Sequence, residues 1–180
     1  MNLSDFKSGK IINEISQKTY SWDSPSNIAL VKYWGKNLDQ TPKNPSISFT
    51  LSNCKTTTKV EFVKSSLKSD SVDFEVIFEG KKNKKFRPKI EKYFSKILEY
   101  CPYLTNYQLS INTTNSFPHS SGIASSASGM SALSLCILSF EKDLTDLSNE
   151  EYFYQKASFL SRIGSGSACR SIYGGVNLWG

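Results

Sequence analysis

Histidine is nearly absent from this chain: His119 is the only one in 180 residues. Cysteine is sparse and scattered, since Cys54, Cys101, Cys136 and Cys169 form no Cys-x-x-Cys pair. One imidazole cannot build a histidine-rich metal site. The cysteine spacing fits neither a zinc site nor the disulfide framework of a small secreted domain. Reduced thiols in a cytoplasmic protein are the simplest account, and they leave the Asn112-Thr113-Thr114 glycosylation triplet with little weight. Long hydrophobic runs are also missing, and the stretch from Asn2 to Ser8, interrupted by Asp5 and Lys7, contains no apolar signal segment. No membrane association is expected. Acidic residues are the minority, 16 against 22 lysines and arginines, for a net charge of +6. That excess suits an anionic partner and an ordinary soluble surface equally well. What is present is core material. Eleven Phe, nine Tyr and three Trp, with 38% hydrophobic residues, exclude a collagen, a mucin or an acidic disordered chain.

Residues 1–24 are polar and mixed, and read as an N-terminal extension or first-strand region that is partly frayed. The apolar run Ile28-Ala29-Leu30-Val31 reads as a largely buried strand, with Trp34 as a core aromatic. Period-two alternation then predicts separate strands at 47–51, 58–63 and 72–78, with another at 107–111. Pro88 opens a helix over 88–101 that buries Ile90, Tyr93 or Phe94, and Ile97. A helix over 126–140 is apolar around most of its circumference and must be central. Ser148 and Glu151 form a capping-box pattern that opens a third helix over 149–162. A last strand falls near Val176. Early strands followed by helices give an α+β fold, antiparallel-rich, with the helices packed on one side. The apolar run that stops at Gly180 is expected to belong to the N-terminal part of a longer protein.

The segment Pro118-His119-Ser120-Ser121-Gly122-Ile123-Ala124-Ser125-Ser126-Ala127-Ser128-Gly129 carries the most chemistry. It follows a strand and opens the central helix. Small residues allow close approach of a ligand, and the first turn of a helix offers unpaired N–H groups at its positive end. Serine hydroxyls add donors, and one of them can reach a phosphate-bound magnesium ion. The P-loop pattern is absent. A Ser/Gly-rich turn with an ordinary helix cap explains the same residues, with His119 as a turn residue or supporting donor, and both readings stay open at this point.

With its neighbours, this loop resembles the GHMP kinase superfamily of small-molecule kinases. Two further segments, Asn27 to Lys36 and Gly164 to Ser171, together with Pro45 to Leu51 between them, resemble the diphosphomevalonate decarboxylases. The resemblance implies a GHMP kinase N-terminal domain over 25–180, of the ribosomal protein S5 domain 2-like type. It implies ATP-dependent decarboxylation of mevalonate 5-diphosphate to isopentenyl diphosphate by the full-length protein, with ATP and Mg2+, and a homodimer. Lys32 and Arg170 would be catalytic. Asn27, Tyr33, Lys36, Ser165, Gly166, Ser167 and Arg170 would bind substrate, Arg170 and Asn27 at the carboxylate end and the others at the diphosphate. Ser120, Ser121, Gly122, Ala124, Ser125 and Ser126 would hold the nucleotide, and Ser125 and Ser126 the metal. His119 departs from the small hydroxyl residue many members carry. The family's catalytic aspartate belongs to a C-terminal half, and neither Asp23 nor Asp39 stands in its place, so this stretch alone is expected to be a poor catalyst.

Two relatives in the same branch, a mevalonate 3-kinase and a phosphomevalonate decarboxylase, would share these motifs. A nucleic-acid-binding role rests only on the basic cluster between Lys81 and Lys89, which reads as a solvated hairpin or loop because Phe86 is its one aromatic. A noncatalytic fragment that pairs through the sheet edge near Val176 is the third alternative.

Overall fold

A computed structural model describes residues 3–38, 41–67, 69–119 and 121–179. Six strands form one sheet: β1 (Gln17–Val31), β2 (Ser46–Lys64), β3 (Asp73–Phe78), β4 (Lys81–Lys82), β5 (Tyr107–Asn115) and β6 (Val176–Trp179). The helices are α1 (Arg87–Ile97), α2 (Ser125–Leu144), α3 (Glu150–Gly164) and the single turn α4 (Arg170–Tyr173). Strand order is β1-β2-β5-β3-β4, with β6 also on β2, and every pair is antiparallel except β3 with β5. This is the expected α+β fold.

Register places one apolar residue from each strand side by side. Tyr20, Val60, Ile111 and Val76 form a row across β1, β2, β5 and β3. Phe62, Leu109 and Phe74 form the next row, and Phe140 of α2 stacks on Phe62 at 4.2 Å. The helices cover this face only, so α2 is buried around most of its circumference. Among the described residues, no helix is long and apolar enough to cross a membrane.

Several expectations need correction. The runs at 47–51 and 58–63 are one strand, β2. Its partner register jumps from Lys55 opposite Pro25 to Leu51 opposite Ser26, so the alternation breaks at Ser52-Asn53-Cys54 without ending the strand. Before that irregularity β2 pairs β6, through Ser46 to Phe49, and beyond it β2 pairs β5, through Thr56 to Lys64, so the sheet forks. The first strand starts at Gln17, ahead of the apolar run. A 3-10 turn at Leu3–Phe6 seats Phe6 face to face on Phe159 at 4.4 Å, so this end is docked rather than frayed. Leu30 is 70% exposed and Trp34 85% exposed, so neither is core. Val31, Ile47 and Leu178 align on the face without helices, and apolar side chains there stay in solvent. Helix α3 is capped by Asn149, whose side chain accepts from the Tyr152 amide at 2.9 Å, one residue past the expected Ser148. Helix α1 stops at Ile97, short of residue 101, and β3 and β4 turn through Glu79-Gly80 as a two-residue hairpin.

Candidate nucleotide and substrate site

The serine loop leaves β5, crosses β2 and reaches β1. Ser116 donates its amide to the Lys55 carbonyl, and the Ser26 hydroxyl donates to the Ile123 carbonyl. The loop then turns through two left-handed residues, Gly122 at φ +80° and Ala124 at φ +59°. A glycine adopts that conformation freely, whereas an alanine does so at a cost, and strain of this kind clusters at ligand sites. Ala124 is the N-cap of α2, and no side chain caps the helix. Its first-turn amides are therefore the donors an anion would meet. Thr56 and Ser128 share a buried hydroxyl contact of 2.6 Å that ties this helix end to β2.

Beside this helix end lies a cavity of about 350 Å3. Ile90, Ile111, Met130 and Leu133 give it an apolar wall, and Ser125, Ser126 and Lys89 line it as well. Lys89 donates to the Ser126 hydroxyl at 2.7 Å, and packing against the wall desolvates its ammonium and lowers its pKa. Ser126 in turn donates to the Ser165 hydroxyl at 3.3 Å. One short chain of hydrogen bonds thus joins the serine loop to the Gly-Ser turn that follows α3.

That turn is braced from β1. Asn27, buried, donates to the Ser171 hydroxyl at 2.7 Å and to the Ser167 carbonyl at 3.2 Å, while Ser24 donates to the Ser171 carbonyl at 3.0 Å. A 3-10 turn, Gly166–Cys169, leads directly into Arg170. At Gly166 a Cβ would meet the Lys36 ammonium at 2.5 Å, so the glycine is what lets Lys36 lie across the turn. The Lys36 ammonium also sits 5.4 Å from the Tyr33 ring centroid.

Arg170 is 3% exposed. One Nη donates to the Ser46 hydroxyl at 2.6 Å, and the guanidinium lies 4.7 Å from the Trp179 ring and 5.6 Å from Tyr33. Its Nε has no partner, and burial pulls its pKa down. Among the described residues no carboxylate forms an ion pair with it. A buried, underbonded guanidinium is costly without an anion and is shaped to grip a carboxylate with two parallel bonds.

The structure therefore brings together Asn27, Tyr33, Lys36, Ser165, Gly166, Ser167 and Arg170, with Gly122, Ala124, Ser125 and Ser126 adjoining. Ser120 and Asp39 lie outside the described residues. Ser121 is exposed on the loop. Lys32 is exposed just past β1, because the strand ends at Val31 on a face that no helix covers. Sequence reasoning missed Lys89, which it left among the solvated lysines, and it missed Ser26 and Ser46. Nothing local separates Lys89 from its basic neighbours; only the packing of α1 against α2 does.

Residues 24–180 match the family model of the diphosphomevalonate decarboxylase-like N-terminal domain. The diphosphomevalonate decarboxylase of Ganoderma lucidum is 34% identical over 170 residues, covering 87% of this chain and 40% of that protein. The crystal structure of mevalonate diphosphate decarboxylase from Staphylococcus aureus matches at 35% identity with a TM-score of 0.73, covering 91% of this chain and 46% of that one. The Enterococcus faecalis enzyme, solved in complex with MVAPP, AMPPCP and magnesium, matches at 31% identity with a TM-score of 0.71, covering 91% and 46%. The chain thus spans about two-fifths to one-half of the length of these relatives. An underbonded buried arginine, a glycine-serine turn and an uncapped helix behind a serine loop all fall inside the matched span, and the chain belongs to the diphosphomevalonate decarboxylase-like family of the GHMP kinase superfamily.

Proposed function

We propose that the full-length protein decarboxylates mevalonate 5-diphosphate to isopentenyl diphosphate at the cost of ATP. The observation that carries this reading is the contact between the two half-sites: Lys89, Ser126 and Ser165 join the uncapped start of α2 to the turn that holds Arg170. A reaction that moves a phosphoryl group from nucleotide to substrate needs its two anion sites adjacent, and its catalysis is mainly positioning and charge neutralisation.

On this reading the nucleotide phosphates meet the Gly122–Ser126 backbone and Lys89, and the base enters the apolar cavity. When bound, ATP supplies the phosphoryl group and magnesium neutralises its charge. Ser125 and Ser126 are the hydroxyls that would reach the ion. No group of three His, Cys, Asp or Glu side chains suited to a metal occurs among the described residues, so the ion would arrive carried largely by phosphate. Ser165, Ser167, Tyr33 and Lys36 receive the substrate diphosphate, with Lys32 adding charge from the strand exit. Arg170 takes the carboxylate. Asn27 acts by holding the turn, because its amide group already donates to Ser167 and Ser171. The remaining part of the protein supplies the general base, so the 180-residue stretch by itself turns over poorly. A homodimer is part of the same proposal.

Product analysis of the full-length protein with mevalonate, its monophosphate and its diphosphate tests the reading. Isopentenyl diphosphate, carbon dioxide and ADP should appear with the diphosphate alone. Decarboxylation of the monophosphate, or a stable 3-phosphorylated product from mevalonate, would instead identify a phosphomevalonate decarboxylase or a mevalonate 3-kinase.

A further inference from the structure

Three rings from three separate segments meet at the cavity beside α2. Phe78 ends β3, Phe86 immediately precedes α1, and His119 belongs to the serine loop. Their centroids form a nearly equilateral triangle: Phe78 to His119 5.2 Å, Phe86 to His119 5.2 Å, and Phe78 to Phe86 5.1 Å. Phe78 meets Phe86 at 74° and His119 at 64°, the edge-to-face arrangement that aromatic quadrupoles favour, and Phe86 is tilted 60° to His119.

This cluster lies at the rim of the hydrophobic core, against which Phe86 packs. Phe78 and Phe86 are half-buried, His119 is exposed, and all three line the cavity. The imidazole makes ring contacts and no described hydrogen bond or ion pair. At the same cavity stand the anion-binding elements, Lys89, Ser125 and the uncapped helix end. A ligand that fits both features joins a flat heteroaromatic group to a chain of phosphates.

We propose that His119 is a specificity-determining residue of the nucleotide site, closing an aromatic cage with Phe78 and Phe86 that selects a base-bearing triphosphate over a bare one. The proposal rests on the nucleotide reading above and adds a residue to it. Phe78 and Phe86 hold the imidazole by its edges, and the base then packs against the ring cluster while its phosphates reach Lys89 and Ser125. The division is physical: rings recognise the base through dispersion and quadrupole contact, and the helix end recognises charge.

The test measures binding of Mg-ATP and of magnesium tripolyphosphate to the full-length protein by calorimetry, for the wild type, His119→Ala and His119→Phe. Loss of the ring should weaken Mg-ATP by about tenfold, the size of one aromatic contact. Tripolyphosphate binding should stay within about twofold, because it uses only the helix end and Lys89. His119→Phe should recover most of the Mg-ATP affinity. Unchanged Mg-ATP binding in His119→Ala overturns the proposal, as does a parallel loss of both ligands, which would mark a disturbed loop. Failure of His119→Phe to rescue would also overturn it. A wild-type protein that binds both ligands equally sinks the cage while leaving the phosphate site intact. One that binds neither sinks the nucleotide reading itself, and the cage with it.

Discussion

Arg170 carries a positive charge into a place with one serine hydroxyl, two aromatic faces and, among the described residues, no carboxylate to answer it. Trp179 and Tyr33 fix the guanidinium plane, and Ser46, itself bonded to the Val31 carbonyl, fixes one end. A lysine keeps the charge and loses the fork and the stacking plane. Arg170→Lys in the full-length protein should therefore lower kcat by about 100-fold, the scale of a misplaced reacting group. Mg-ATP affinity should barely move, because the contacts of Arg170 are with Ser46, Tyr33 and Trp179 and not with the serine-loop residues that meet the nucleotide. Steady-state kinetics paired with nucleotide binding separates this from a folding defect, in which both would fall together. The glycine-serine turn and its arginine were legible in the sequence because their chemistry is local: small residues beside a fork-shaped cation. Trp34 was not. Residue type favours the interior, yet burial is decided by which sheet face the helices cover, and no property of Trp34 reports that.

At the scale of elements, α2 and α3 are pinned by an ion pair between them. The Lys156 ammonium lies 2.5 Å from Glu141 Oε1, both side chains have almost no exposure, and the Tyr100 carbonyl and the Cys101 thiol complete the cluster. Two charges removed from water tolerate each other only as a pair. Lys156→Met should destabilise the fold by about 3–5 kcal/mol by stranding Glu141, while the double variant Lys156→Met, Glu141→Leu should recover most of that loss. Urea unfolding of the four proteins in this cycle measures it, and a single variant within about 1 kcal/mol of wild type would mean the pair is not desolvated. Neither residue was singled out by the sequence, since a lysine in α3 resembles any solvated helical lysine until α2 is laid against it. Elements with a strong internal period were legible: β3, α1 and α2 lie close to where alternation, Pro88 and the apolar circumference put them. Strand β2 was not, because a three-residue irregularity interrupts the alternation without interrupting the pairing.

Across the whole molecule, the groups most shifted by burial are acids that are neutral when protonated. Burial pushes the Cys101 and Cys136 thiols up to about 12. The Tyr93 and Tyr103 hydroxyls are raised as well, again chiefly by burial. The carboxylates Glu14, Asp23 and Glu75 move the other way, each held down first by a hydrogen bond from a lysine at the surface, and Asp143 is lowered too, its desolvation outweighed by hydrogen bonds from Lys18 and Tyr20. The two sets act at opposite ends of the pH scale. A lowered carboxylate adds stability that is present above its ordinary pKa near 4 and fades as the pH falls through its folded value, and exposed pairs contribute little of it. A raised thiol adds stability that is complete below its ordinary pKa of about 8.5 and is lost as the pH climbs from there toward 12, because the unfolded chain ionises first. The fold should therefore be limited by alkali more than by mild acid. Stability measured by urea unfolding under reducing conditions should be nearly flat from about pH 6 to 8 and then decline, each buried thiol adding about 1.4 kcal/mol per pH unit to the slope once the unfolded chain is ionised. Cys101→Ala with Cys136→Ala starts from a lower plateau, because two packed sulfurs are gone, but its slope between about pH 8.5 and 10 should flatten markedly. An unchanged slope in that variant would show that other groups set the alkaline limit, and the buried tyrosines would be the next to test.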